Sequence, residues 1–401
     1  MMGKSWALCA LMALGSLSSA RSLCDDVQTY LDIPVPLGGD MEVELDVTSL
    51  ECPPNGELPD ELDEVIVQGG TLTIRGTQSS LRFVNFRFTV EDGASLVFDL
   101  DTVLFGPNSG YEENAQGYMI DVKEGGSVTF LGAFEANAVR NVKSTFNNAG
   151  NMEFKGTALF DGNANVFQFN RGVLKFREVT TFTGTWFNAI YNLDSGYVRF
   201  SKEAFFTNNN RFFVGSSACA IHNPTLDGRI IFRGDATFAQ HSCDGPGAIS
   251  SSGTVKFYGK ASFIDNQSDS DGGAVQNRVG SMSFKAAVQF VGNTGNSGGA
   301  LAVEGGDVTF DRAVLFDGNV AKETGGAFIA TSGSVFAGGE AIASGDGLLT
   351  FRKSSVVRVR NNSIAPEEFG DEVLAPLCTV GYVEDGSTVV GYPEDDICVE
   401  V

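Results

Sequence analysis

The chain has 401 residues, of which 42% are hydrophobic and 19% charged, and its formal net charge is −23. It is long enough for one large domain or two ordinary ones. Its acidity argues against nucleic-acid binding, because phosphate contacts need clustered Lys and Arg. Only two histidines are present, His222 and His241, which leaves little room for histidine catalysis or a zinc site. We expect no cofactor and no metal ion.

Residues 1–20 are predicted to be a secretory signal peptide. Lys4 supplies the positive start, Ala7 to Leu14 the apolar stretch, and Ala20 ends a small-residue cleavage site. The apolar stretch is too short to cross a bilayer, and no later stretch approaches the roughly 18 apolar residues of a membrane-spanning helix. We therefore expect a secreted protein without a transmembrane segment, acting outside the cell and associating with the cell surface or cell wall.

Six cysteines follow this segment, and they form three couples that are close in sequence. They are Cys24 and Cys52, Cys219 and Cys243, and Cys378 and Cys398. Six cysteines allow about fifteen pairings, so spacing leaves the connectivity open. Disulfides are expected rather than metal ligation, because secretion is oxidising and no C-x-x-C motif occurs.

The two ends of the chain hold most of its negative charge. Residues 21–65 carry 13 acidic side chains and one basic one, and residues 366–401 carry 10 acidic and no basic ones. Each end also contains a cysteine couple. The sequence therefore predicts a disulfide-bonded acidic cap over 21–65 and another over 366–401, flanking a nearly neutral body over 66–365.

The body is built from a repeat of the form Gly-x-apolar-x-Phe, with a second Phe six residues after the first. The first Phe recurs every 22 to 32 residues; its copies include Phe130, Phe154, Phe176, Phe200, Phe232, Phe257, Phe284 and Phe310. Alternation of apolar and polar residues predicts short strands, with Glu153, Lys175, Arg199 and Lys256 facing outward. No helical periodicity separates the strands, so the repeat predicts an all-β, right-handed parallel β-helix solenoid with internal Phe ladders.

Three copies of a Gly-Gly-Ala motif, at Gly272, Gly298 and Gly325, each follow a Phe-x-x-Asn motif by about nine residues. Together the two motifs resemble the GGA(I/L/V) and FxxN repeats of the chlamydial polymorphic outer-membrane proteins, most strongly over 246–330. The resemblance implies a right-handed β-helix of the pectin-lyase-like type with an adhesive role.

The Asn of Phe-x-x-Asn has two interpretations. The residues are Asn163, Asn209, Asn266, Asn293 and Asn319, with His241 in the same place of one turn. They form either an adhesive face or a structural ladder of stacked amides, and we favour the ladder. Asn266 and Asn361 also begin glycosylation sequons, although burial of the Phe-x-x-Asn position would block modification of Asn266.

The position after the first Phe is often basic in this acidic chain. The cations there are Lys155, Arg177, Arg233, Lys285 and Arg352. On stacked turns they would form a basic stripe able to bind the carboxylates or sulfates of an anionic polysaccharide. The alternative is that outward positions carry charge only for solubility.

These patterns favour a non-enzymatic structural or adhesion protein that binds glycans or surface proteins along one face of the β-helix. The alternative is a polysaccharide lyase or epimerase, which needs acidic residues on neighbouring turns to hold Ca²⁺ or to act as acid and base. Asp265, Asp269 and Asp271 are clustered, but their sequence context is typical of a solvated turn. We expect no catalytic residues.

Overall fold

The computed structural model describes residues 40–45, 49–51, 63–84, 86–106, 118–137, 144–163, 166–211, 219–324 and 327–330, and short strands beyond them. These residues form a parallel β-solenoid, and none of them is helical. The predicted signal peptide and Cys24, Cys52, Cys378 and Cys398 lie outside the described residues. None of the described segments is a helix long and apolar enough to span a membrane.

Three long sheets, A, B and C, and a shorter sheet D run along the solenoid. Each turn passes from A to B and then to C, and later turns pass through D between B and C. Sheet A consists of β1 (Asp40–Leu45), β4 (Gly70–Gly76), β7 (Ala94–Asp99), β10 (Ser127–Phe130), β13 (Asn151–Phe154), β16 (Val173–Phe176), β19 (Tyr197–Phe200), β23 (Arg229–Phe232), β27 (Thr254–Phe257), β31 (Ser281–Phe284), β35 (Asp307–Phe310), β39 (Ser334–Ala337), β41 (Gly347–Phe351) and β40 (Ile342–Ser344).

Sheet B consists of β2 (Ser49–Glu51), β5 (Ser80–Val84), β8 (Thr102–Phe105), β11 (Ala133–Asn137), β14 (Ala158–Asp161), β17 (Thr180–Thr183), β20 (Ala204–Thr207), β24 (Ala236–Ala239), β28 (Ala261–Ile264), β32 (Val288–Val291), β36 (Val314–Asp317), β42 (Val357–Arg360) and β44 (Val389–Val390). Among the described strands of all four sheets, adjacent pairs are parallel except for β40 with β41 of sheet A.

Sheet C consists of β3 (Asp63–Val67), β6 (Phe86–Val90), β9 (Tyr118–Val122), β12 (Ser144–Asn148), β15 (Phe167–Asn170), β18 (Ile190–Asn192), β22 (Ile221–Asn223), β26 (Ile249–Ser251), β30 (Val275–Asn277), β34 (Leu301–Val303) and β38 (Phe328–Ala330). Sheet D consists of β21 (Asn210–Arg211), β25 (Ser242–Cys243), β29 (Gln267–Ser268), β33 (Thr294–Ser297), β37 (Val320–Thr324) and β43 (Ser363–Ile364).

The first turn begins inside the acidic segment 21–65. Strand β1 pairs in parallel with β4, and β2 and β3 pair with β5 and β6. Part of this segment is therefore solenoid. The disulfide within the described residues, Cys219–Cys243, lies in the middle of the chain rather than in a cap.

The repeat produces strands because alternate residues face the interior. In β27, Val255 and Phe257 are buried while Thr254 and Lys256 are half-buried on the outside. The first Phe of each turn stacks on the next, with ring centroids 4.6–5.0 Å apart from Phe98 to Phe310. The second Phe forms a parallel ladder from Phe160 to Phe316. Edge contacts between the ladders fill the core, which confirms the predicted internal ladders.

The Gly-Gly-Ala motif forms a corner where backbones touch. Gly272 and Gly298 have φ of 74° and 62°, which favour glycine. A Cβ on Gly273 would collide with the carbonyl oxygen of Gly299 in the next turn, and one on Gly247 with that of Gly273. Glycine is needed here for conformation and for close stacking.

Candidate anion-binding face

The outer face of sheet A brings the predicted basic stripe into one column. The backbone N–H of Arg177 donates to the Phe154 carbonyl oxygen at 2.9 Å, and that of Arg233 to the Phe200 oxygen at 2.8 Å. The same bond places Lys155 and Lys285 in this column. Four of the five predicted residues are therefore stacked, and Arg352 lies outside the described residues.

A second outward column lies beside the stripe on the same sheet. Pairing aligns Glu153 with Lys175, Lys175 with Arg199, and Ile231 with Lys256. The sequence analysis predicted that Glu153, Lys175, Arg199 and Lys256 face outward. It did not predict that this column and the basic stripe form one continuous surface. Alternation within each strand already contained the signal, because residues two apart share a face.

We define the basic face as the outward side chains of sheet A from β13 to β31, including the residue after each strand. It contains eight cations and one anion, Glu153. The cations are Lys155, Lys175, Arg177, Arg199, Arg229, Arg233, Lys256 and Lys285. The whole chain has a net charge of −23, so this positively charged face is opposite in sign to the protein as a whole. The adjacent corner, between sheets A and B, carries acidic side chains: Glu178, Glu203 and Asp235.

Several cations of the basic face have partners. Arg177 Nε donates to Glu153 Oε1 at 2.5 Å, and Lys285 Nζ donates to Asp311 Oδ2 at 2.8 Å. The guanidinium carbon of Arg233 lies 4.1 Å from the centre of the Tyr258 ring. Exposed ion pairs of this kind contribute only about 0–1 kcal/mol, so they leave the cations available to a stronger ligand.

The Asn residues of Phe-x-x-Asn form a buried hydrogen-bonded ladder. Asn266 Nδ2 donates to Asn293 Oδ1 at 2.8 Å and to the Phe238 carbonyl at 3.1 Å. Asn293 Nδ2 donates in the same way to Asn319 Oδ1 at 2.9 Å. The structure therefore shows the ladder of stacked amides that the sequence analysis favoured over an adhesive face. Asn266 is 0% exposed, so the folded chain leaves no room for a glycan there; Asn361 lies outside the described residues.

His241 replaces asparagine in this ladder. Its Nδ1 accepts the backbone N–H of Asn209 at 3.1 Å, as Oδ1 of Asn293 accepts that of Asn266. Burial lowers the pKa of His241 to about 3, against the smaller opposing effects of the Asn209 and Phe206 backbones. The ring is therefore neutral at physiological pH and acts as a structural acceptor.

A second amide ladder, which the repeat analysis missed, runs along the corner between sheets C and A. Asn148, Asn170, Asn192 and Asn223 are linked by Nδ2-to-Oδ1 bonds of 2.7–2.9 Å. The sequence signal was an Asn a few residues before the glycine that opens each repeat.

Sheet C carries an outward column of rings. Tyr191 stacks on His222 at 4.9 Å and meets Phe169 edge-on at 5.9 Å. The guanidinium of Arg171 lies 5.4 Å from the Phe169 ring centre. This column also went unpredicted, because the residue types differ from turn to turn.

Two of the three clustered aspartates, Asp269 and Asp271, already have partners within the chain. Asp269 Oδ1 accepts from Lys322 Nζ at 3.0 Å, and Asp271 Oδ1 accepts the backbone N–H of Ser297 at 3.0 Å. Asp265 is exposed at a turn with φ of 53°. Among the described residues, no group of three or more His, Cys, Asp or Glu is placed to hold a metal ion.

In comparisons with protein-family models, curated proteins and solved structures, none matches this chain. The class defined by the structure is a parallel β-solenoid. The resemblance to the polymorphic outer-membrane proteins therefore rests on the repeat motifs alone.

Proposed function

We propose that this protein is a secreted, non-enzymatic adhesion or matrix protein that holds an anionic polysaccharide along the basic face of sheet A. The observation that carries the proposal is the concentration of eight cations and one anion on that face of an acidic chain. A predicted signal peptide and the Cys219–Cys243 disulfide support secretion. We also infer a right-handed winding, the usual hand of parallel connections.

The spacing of the cations suits a long polymer. Adjacent rungs are about 4.8 Å apart, which is shorter than a Debye length of about 8 Å at physiological salt. Fields from neighbouring rungs therefore add, and weak contacts along one polymer chain combine through multivalency. The net negative charge elsewhere disfavours unspecific capture of polyanions, nucleic acids included.

The test is binding to a column of polygalacturonate, eluted with a salt gradient. One variant replaces Lys155, Arg177, Arg233 and Lys285 with Ser. The control variant replaces four cations outside the basic face with Ser, namely Arg82, Lys260, Arg278 and Lys322, and therefore loses the same charge. We expect the parent to be retained at low salt, the first variant to flow through, and the control to keep most of its retention.

Equal loss in both variants would mean diffuse charge attraction, and no retention of the parent would end the proposal. Single-stranded DNA as a competitor distinguishes a glycan ligand, which DNA displaces poorly, from any polyanion. The alternative function, a lyase or epimerase, predicts unsaturated or epimerised uronate in the flow-through, measurable by ultraviolet absorbance and by NMR.

A further inference from the structure

The basic face contains a gap at Ser201. In the column that follows the first Phe, Ser201 lies between Arg177 in the preceding turn and Arg233 in the following turn. Its backbone N–H donates to the Phe176 carbonyl at 2.9 Å, which fixes it in register with both. Serine is the short, uncharged member of this part of the column, between two arginines that are each about one rung away.

Two hydrogen-bonding atoms beside this gap are unsatisfied. Arg199 Nε and Ser201 Oγ are closed off from solvent, and neither has a hydrogen-bond partner among the described residues. Arg199 lies two residues before Ser201, so the two side chains leave the same side of the sheet. Buried donors without partners destabilise a folded protein, so such groups call for an explanation.

The flanking arginines are held by partners on their far sides. Arg177 uses Nε to bind Glu153 in the turn before, which leaves its two terminal amino groups unused in that bond. Arg233 lies against the ring of Tyr258 in the turn after, and its guanidinium makes no hydrogen bond within the part of the chain that the structure describes. Arginine binds oxyanions through the planar edge of its guanidinium.

We propose that the gap at Ser201 is the seat of one oxyanion group, a carboxylate or sulfate, of the bound polysaccharide. Rotation of the surface side chains of Arg177 and Arg233 uncovers Arg199 Nε and Ser201 Oγ, which then donate to the oxyanion from the sheet, while the terminal amino groups of the two arginines donate from either side. The inference rests on the proposed function and makes this turn its strongest subsite.

The test fills the gap without changing charge. Ser201→Tyr places there the residue type that Tyr258 already has in the same column, and Ser201→Ala removes the hydroxyl alone. The control is Ser262→Tyr, because Ser262 is an outward, half-buried serine of sheet B and therefore lies outside the basic face. Binding is measured by calorimetry with two probes, oligogalacturonate for carboxylates and a sulfated dextran oligomer for sulfates.

We expect Ser201→Tyr to weaken binding of at least one probe by about tenfold, the equivalent of about 1.4 kcal/mol, and Ser201→Ala to weaken it less. Ser262→Tyr should bind like the parent. The probe that loses most affinity identifies the oxyanion. If the parent binds both probes and Ser201→Tyr binds them equally well, the subsite is wrong while the basic face stands; if the parent binds neither, both proposals fall. Unchanged melting temperatures show that the variants are folded.

Discussion

The backbone N–H of Asn209 donates to Nδ1 of His241 across 3.1 Å, which makes an imidazole the acceptor in a ladder otherwise built largely of amides. The ring is buried, and burial lowers its pKa to about 3. The ladder therefore contains one member that acid can charge.

This gives the solenoid a pH dependence. The folded pKa of His241 lies below the unfolded value of about 6.5, so its contribution to stability is complete above that pH. Below that pH the unfolded chain binds a proton that the folded chain does not. The free energy of unfolding therefore decreases by about 1.4 kcal/mol per pH unit as the pH falls toward 3. We expect urea unfolding of the parent to lose about 2 kcal/mol more between pH 6.5 and 5 than unfolding of His241→Asn, which supplies the amide of the other turns. Parallel pH profiles of the two proteins would contradict this.

The phenylalanine ladder predicts a large cavity effect. Phe284 is 1% exposed and stacks between Phe257 and Phe310. We expect Phe284→Ala to lower the free energy of unfolding by about 3–5 kcal/mol. The matched control is Phe205→Ala, because Phe205 points outward from sheet B and is 37% exposed. Its change should stay below about 1 kcal/mol; similar losses at both positions would refute the register of the core.

The stacked glycines predict a steric effect. Gly273→Ala places a methyl group against the Gly299 carbonyl, with backbone on both sides. We expect a marked fall in melting temperature, because the corner cannot retreat without breaking backbone hydrogen bonds between turns, such as that from Gly273 N–H to the Gly298 carbonyl at 3.2 Å. Gly93→Ala is the control: its Cβ would meet nothing within 4 Å, although its φ of 69° carries the ordinary cost of about 1–2 kcal/mol. A milder effect at Gly273 than at Gly93 would be inconsistent with the structure.

Disulfide mapping tests the chain ends. Proteolysis without reduction should yield a peptide pair joined by Cys219–Cys243, as the structure has it. The predicted cap bonds, Cys24–Cys52 and Cys378–Cys398, should appear in the same digest. A Cys24–Cys398 pair, or free thiols at all four positions, would reject the disulfide-bonded caps.

The sequence by itself determined the solenoid, because a translational repeat sets its own register. Once Phe257 and Phe284 occupy equivalent places in successive turns, the residue after each must stack as well, so the column of Arg177 and Arg233 followed from spacing. The tertiary structure decided what lies beside that column. Arg199 Nε and Ser201 Oγ are closed off from solvent only because parallel pairing sets neighbouring turns about 4.8 Å apart. The low pKa of His241 likewise depends on burial, which is a property of the closed turn and not of the residue.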